Sequence, residues 1–142
     1  MKYRVVIEKD EIEGGWFASF PQIPEALTCG DTREEALMMA ADALVTALDF
    51  YFEDERSIPI PPVLNAHDDY IQLPASVTAK VLLLNAMLKS GTSQAELARK
   101  LSTRPQEVTR IVKLDHSTKI DTIADALSAL GLQLVLSVVK GP

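Results

Sequence analysis

The sequence predicts an α+β domain followed by an all-helical domain, and three observations carry that reading. Apolar residues alternate with period two near the N-terminus, then recur every three or four positions behind a helix-capping sequence. The sign of the charge reverses close to Pro74. Up to that residue five bases face fifteen acids, a net of −10, whereas nine bases face five acids from Ala75 onward, a net of +4. Beyond Pro74 four helix signals follow one another with no strand between them. The expected domains are therefore 1–74 and 75–142, and a chain of 142 residues has room for two small cores. The total charge of −6 hides this division, and recognition depends on the local face.

In the first domain, Tyr3, Val5 and Ile7 alternate with Arg4, Val6 and Glu8 over 2–8, the pattern of a half-buried strand. An acid-rich stretch then ends in Gly14-Gly15, a hairpin turn. Trp16 to Phe20 form the second strand, which Pro21 and Pro24 stop. A short third strand covers Ala26 to Cys29. Thr32-Arg33-Glu34-Glu35 is a capping box, whose hydroxyl and carboxylate take amides left open at a helix start. Leu37, Ala40, Ala41, Leu44, Leu48 and Tyr51 mark one apolar face of a helix over about 32–53. Residues 54–69 hold Pro59, Pro61 and Pro62 and are expected as loop. Tyr70 to Leu73 return as a fourth strand, so the order is β-β-β-α-β with the helix on one sheet face.

In the second domain an apolar helix at 75–90 ends at Ser90-Gly91. Ser93-Gln94-Ala95-Glu96 opens the next helix. Thr103 with Pro105 and Gln106 opens another, and Ser117-Thr118 ahead of Asp121 opens the last, which stops at Leu130-Gly131. Residues 132–139 alternate again. A strand without a sheet of its own is an exposed edge until another chain pairs with it. Leu132, Leu134, Leu136 and Val138 are accordingly expected to join two copies in a dimer, or a dimer of dimers.

Two short helices that cross so that the second enters a DNA major groove need a small residue at their contact, apolar residues between them and a tight turn. Ala98 supplies the first, and Leu97, Leu101, Val108 and Ile111 the second. In this register a second helix over roughly 104–113 exposes Gln106, Glu107, Thr109, Arg110 and Lys113, with Arg104 at its start, to base edges and phosphates. Ser93 and Gln94, with the first-turn amides, are placed to hold a phosphate. The pattern resembles the phage-repressor-like (XRE/Cro) class of helix-turn-helix. Ser102 departs from it, standing in the turn where that class favours glycine, at a cost of about 1 kcal/mol. An ordinary helical bundle with Ala98 in its core is the competing explanation.

The first domain carries a second resemblance. Tyr3, Gly14-Gly15-Trp16, Phe20-Pro21-Gln22-Ile23-Pro24-Glu25-Ala26-Leu27-Thr28, Gly30-Asp31-Thr32 and Glu35-Ala36 together resemble the HicB antitoxin family. Asp49-Phe50-Tyr51-Phe52-Glu53-Asp54, Ile58-Pro59 and the C-terminal helices resemble the subgroup with a DNA-binding domain. The resemblance implies a partial ribonuclease-H-like first domain that covers a HicA-type toxin, an RNA-cleaving ribonuclease with a catalytic histidine. It also implies a complex that binds its own promoter. A toxin that grips RNA is basic where it does so, and an acidic domain complements it, chiefly by speeding and orienting encounter. On that basis Asp31, Glu34, Glu35, Asp54 and Glu55, with Trp16 and Phe17, are the candidate toxin contacts, and Tyr51 is a further aromatic anchor. Each aromatic taken singly is explained as well by the core, and the acids by a solvated surface.

Other function classes find less support. Cys29 is the only cysteine, which excludes an intrachain disulfide and fits a reducing cytoplasm. The opening residues are too briefly apolar for a secretory signal, and no run of about eighteen apolar residues suggests a membrane span. His67, Asp68 and Asp69 suggest a metal site but read better as a polar loop, and His116 has no neighbouring nucleophile. No catalytic constellation, metal site or cofactor motif emerges. A one-component repressor with a small-molecule-sensing first domain remains the alternative, and a two-metal nuclease the third reading.

Overall fold

A computed structural model describes residues 1–141, a mixed α+β molecule with five strands and five helices among them. It divides into two compact units, Met1–Thr78 and a second beginning at Ala79. That division falls inside the helix expected to open the second domain, four residues beyond the expected boundary. No helix among the described residues is long and apolar enough to cross a membrane.

The first strand is not continuous. β1 (Lys2–Arg4) and β2 (Val6–Lys9) separate at Val5 and join different sheets. β1 pairs antiparallel with β5 (Tyr70–Gln72), Tyr3 opposite Ile71. β2 forms an antiparallel meander with β3 (Trp16–Ser19) and β4 (Leu27–Gly30). Val5 keeps its amide satisfied by donating to the Asp69 carbonyl at 3.0 Å, so the break leaves no open donor. The hairpin between β2 and β3 turns at Gly14 and Gly15, with φ of +80° and +82°, as the glycine pair predicts.

α1 (Arg33–Glu53) lies on one face of the meander and buries Ala36, Ala40, Leu44, Ala47, Leu48, Tyr51 and Phe52. Leu37 and Ala41 of the expected stripe are only half-buried, so the true face is rotated toward Ala36 and Ala47. Small residues permit a close approach. A Cβ on Gly30 would come within 2.5 Å of the Ala36 amide nitrogen. The capping box forms as expected: Thr32 Oγ1 accepts from the Glu35 amide at 3.1 Å, and a Glu35 carboxylate oxygen accepts from the Asp31 amide at 3.4 Å. Tyr3 is wholly buried and donates its hydroxyl to the Pro59 carbonyl at 2.7 Å, tying the proline-rich loop to β1. Burial first, and the nearby Tyr51 second, push its pKa up to about 12.

The second unit is built from the remainder of α2 (Ala75–Ser90), α3 (Gln94–Lys100), α4 (Pro105–Ile111) and α5 (Ile120–Ala129). Ala79, Leu83, Met87, Leu97, Ala98, Val108, Ile111, Ile123, Ala126 and Leu127 form one core. Two expected caps are corrected. α4 begins after Arg104 with Pro105 in its first turn and makes no side-chain cap bond, because proline removes one of the amides that Thr103 would have served. α5 begins after Lys119, leaving Thr118 Oγ1 buried without a partner instead of capping.

The strand expected over 132–139 is not formed. The segment is irregular through Gly141, since no strand in the unit offers it a ladder. Leu134 is half-buried against the helical core, whereas Leu132, Leu136 and Val138 are exposed.

Two substitutions test this description in opposite directions. Gly30→Ala pushes a methyl group into backbone and is expected to destabilise the chain by about 2 kcal/mol or more. Ser102→Gly, at a φ of +52°, is expected to stabilise it by about 0.5–1 kcal/mol. Urea unfolding of both variants beside the wild type measures each sign.

Candidate functional site

Two surfaces carry the residues singled out by the sequence, one on each unit. On the second unit, Ser93 caps α3 by accepting from the Glu96 amide at 3.1 Å. α3 stops at Leu101, and Ser102 turns the chain with positive φ while the Thr103 amide donates to the Ala98 carbonyl at 2.9 Å. α4 therefore starts at Pro105, four residues beyond Leu101, its Val108 and Ile111 in the core and Gln106, Glu107, Thr109 and Arg110 exposed. Arg104 and Lys113 are exposed at its two ends. Six of the expected DNA-facing residues thus lie on α4 and its flanks, and Ser93 and Gln94 lie at the start of α3.

Several of them already have partners. Gln94 is half-buried, and its Oε1 lies 3.0 Å from the Thr109 hydroxyl, which also lies 3.1 Å from the Pro105 carbonyl. Arg110 faces Glu107 at 3.5 Å in an exposed pair that is worth little in water. A cleft of about 290 Å³ runs beside α4, lined by Thr103, Glu107, Arg110, His116, Lys119 and Asp125 among others. Its bases and acids are mixed, so it does not present one sign of charge.

Sequence reasoning passed over Lys80. It is 2% exposed, and its ammonium donates to the carbonyls of Arg110 at 3.4 Å, Lys113 at 2.5 Å and His116 at 2.5 Å. Burial lowers its pKa from the ordinary lysine value, and the charge of Asp115 draws it back. The available signal was a charged residue between Val77 and Leu84 on an otherwise apolar helix.

On the first unit the expected toxin contacts fall into two groups. Trp16 and Phe17 on β3 sit opposite Gly30 and Cys29 of β4, and Asp31, Glu34 and Glu35 follow directly. Asp54 and Glu55 lie at the far end of the 21-residue α1, about 30 Å away at 1.5 Å per residue. Asp54 pairs with Arg56 at 3.4 Å, and Glu55 ends the helix with a φ of +50°. Trp16 is half-buried. Phe17 is 44% exposed and Leu27 66% exposed, on the meander face that also carries Glu8 and the exposed Cys29. Tyr51 is buried and donates to Glu25 at 2.8 Å while Arg56 lies over its ring. It belongs to the core of its unit.

The acids that suggested a metal site are engaged otherwise. Asp68 pairs with Arg4 at 3.3 Å and accepts from the Asn65 amide at 2.8 Å, while Asp69 pairs with Arg33. No group of three or more metal-ligating side chains occurs among the described residues.

Comparison with known proteins agrees with the resemblance of the first domain. Residues 2–82 match the model of a HicB-like antitoxin of bacterial toxin-antitoxin system. The chain is 64% identical over 136 residues to the antitoxin HicB 2 of Photorhabdus laumondii, covering 96% of this chain and 95% of that one. It is 52% identical over 139 residues to the antitoxin HicB of Escherichia coli K12, covering 98% and 100% respectively. With the antitoxin HicB of Pseudomonas fluorescens the identity is 42% over 137 residues, covering 96% and 94%. The similarity therefore runs through both units, and the chain belongs to the HicB-like family of bacterial antitoxins, which are not enzymes.

Proposed function

We propose that this antitoxin neutralises a basic, RNA-cleaving toxin of the HicA type with its first unit, and represses its own operon with its second. The observation that carries the first part is an open apolar sheet face, Phe17 and Leu27, within a domain of net charge −10. Exposed apolar groups rimmed by charge are the usual composition of a protein interface. Glu8, Asp31 and Glu34 supply the rim. Asp54 and Glu55, at the other end of α1, fall outside a single patch of this kind. A meander with one covering helix and a short returning strand is compatible with a partial ribonuclease-H-like domain.

The second part rests on the α3–α4 pair read as a helix-turn-helix. Ala98 lies at the helix contact, Ser102 takes the positive φ of the turn, and Gln106, Thr109 and Arg110 face solvent on the second helix. Two such modules related by a two-fold axis fit half-sites about one helical turn apart. Residues 132–139 are the segment that joins them, becoming a strand when a second copy supplies the ladder. The alternative of a small-molecule sensor gains nothing from the cleft beside α4, which lies in the helical unit.

The toxin reading is tested with the full chain and a small basic protein sought in the neighbouring reading frame, whose absence there counts against the reading. The pair is expected to co-purify, and Phe17→Asp with Leu27→Asp to weaken capture about tenfold or more. Failure of the wild type to hold that protein removes the reading, and full capture by the double variant moves the interface elsewhere. Arg110→Ala is expected to weaken binding to the upstream promoter by about 1–3 kcal/mol in a gel-shift series, and unchanged affinity takes Arg110 out of the interface. Leu136→Glu with Val138→Glu avoids the half-buried Leu134 and is expected to give a monomer in sedimentation that still captures toxin. A persisting dimer places the contact elsewhere.

A further inference from the structure

We infer that Lys80 is a positioning residue for DNA recognition, one buried ammonium fastening the backbone from which three basic side chains reach solvent. This rests on the nucleic-acid reading of the second unit and names the group that holds that surface in place. The carbonyls it takes belong to Arg110, Lys113 and His116, and the side chains of all three residues are exposed.

An ammonium has three N–H donors and no acceptor, and each donor here meets a main-chain carbonyl. Among the described residues no carboxylate bridges Lys80, and Asp115 acts on it through its charge. The Arg110 and Lys113 carbonyls also accept the Lys113 and His116 amides, at 3.2 and 3.3 Å. An apolar residue of similar length would fill the same space but take a second donor from these two and remove the donor to the His116 carbonyl. The need for a lysine therefore comes from these carbonyls.

Their location gives the device a function. Arg110 lies in the last turn of α4, Lys113 two residues beyond Ile111, and His116 one turn further on. Carbonyls at a helix C-terminus carry partial negative charge, which offsets the burial of a cation there. With the backbone held from the inside, the outward basic groups are arranged before DNA arrives. Less ordering entropy is then lost on binding. A positive charge beneath a basic surface would otherwise be an odd choice, because it adds to the repulsion among those groups.

The test compares wild type, Lys80→Met and Lys80→Gln as full chains against a labelled duplex from the region upstream of the protein's own coding frame. Fluorescence anisotropy is read across a salt series, at a temperature where circular dichroism shows each chain folded. Lys80→Met is expected to bind about ten- to a hundredfold more weakly. Its slope of log affinity against log salt is expected to be shallower by about one to two units, since fewer phosphates are neutralised. Amide exchange is expected to speed up over 112–118 while Leu97 and Ala98 stay protected. A residue that only stabilised the fold would leave the slope unchanged. Wild-type slope and wild-type exchange in Lys80→Met overturn the proposal. If that variant does not fold, Lys80→Gln, which keeps a donor, is expected to show the same changes at smaller amplitude, and a wild-type result from it is equally fatal. Absence of any salt-sensitive binding by the wild type overturns the nucleic-acid reading instead, while the exchange data separately decide whether Lys80 holds the segment.

Discussion

The main-chain carbonyls at the ends of the helices are the constraint on which this small molecule depends. The last carbonyls of a helix have no intrahelical donor, and a short helix has few other bonds to offset their loss. Four of the five helices meet the demand in one way. After α1, α2, α3 and α5 the chain turns with positive φ at Glu55, Gly91, Ser102 and Gly131. The next amide then reaches back five residues: Arg56 to Tyr51, Thr92 to Met87, Thr103 to Ala98 and Leu132 to Leu127. Glycine makes two of these turns at little cost, while Glu55 and Ser102 hold a left-handed backbone against the preference of their side chains. α4 has no such turn. Its end closes with shorter backbone bonds, the Lys113 amide to the Arg110 carbonyl and the His116 amide to the Lys113 carbonyl. The Lys80 ammonium adds a second donor to both and reaches the His116 carbonyl.

This exception falls where the exposed side chains of Arg110, Lys113 and His116 follow one another. A left-handed turn after Val112 would send the chain back over its own helix. Without such a turn Lys113 and His116 follow α4 with exposed side chains, and their carbonyls are met from the inside. α2 meets them from within the core. The device thus goes with continuing the chain past the end of a seven-residue helix without a left-handed turn.

How much of this was legible in the sequence follows the range of the interactions. The capping box at Thr32, the hairpin glycines and the ends of α2 and α5 are local, and they were read to within a residue or two. Ala98, Leu97, Val108 and Ile111 were placed in the core because helical spacing is itself a local property. What was missed needed a partner distant in the chain. The alternation from Tyr3 to Ile7 does not reveal that the two sides of Val5 pair with segments far apart. Asp68 and Asp69 looked free until Arg4 and Arg33 arrived beside them. Lys80 was passed over within an apolar helix. The alternation over 132–139 is a true local signal, but a ladder is a property of two segments, and within one chain the second is missing.

The same reasoning separates the two units by what each leaves unsatisfied. In the first, the open feature is apolar, Phe17 and Leu27 on a sheet face whose other side is closed by α1, with exposed acids around the unit. Burial of such groups has no direction, so charge must orient whatever covers them, and fifteen acids set that orientation toward a basic partner. In the second unit the unmatched features are exposed cations beyond a closed apolar core, which suit a partner whose charge is regular and whose identity lies in its groove. A toxin that grips RNA and a promoter are both encounters with phosphate chemistry, the first by proxy. On the proposed reading, one half of the chain offers negative charge where the toxin's substrate would, and the other offers positive charge to the operator's phosphates. Keeping the two signs on separately folded units lets each act without neutralising the other.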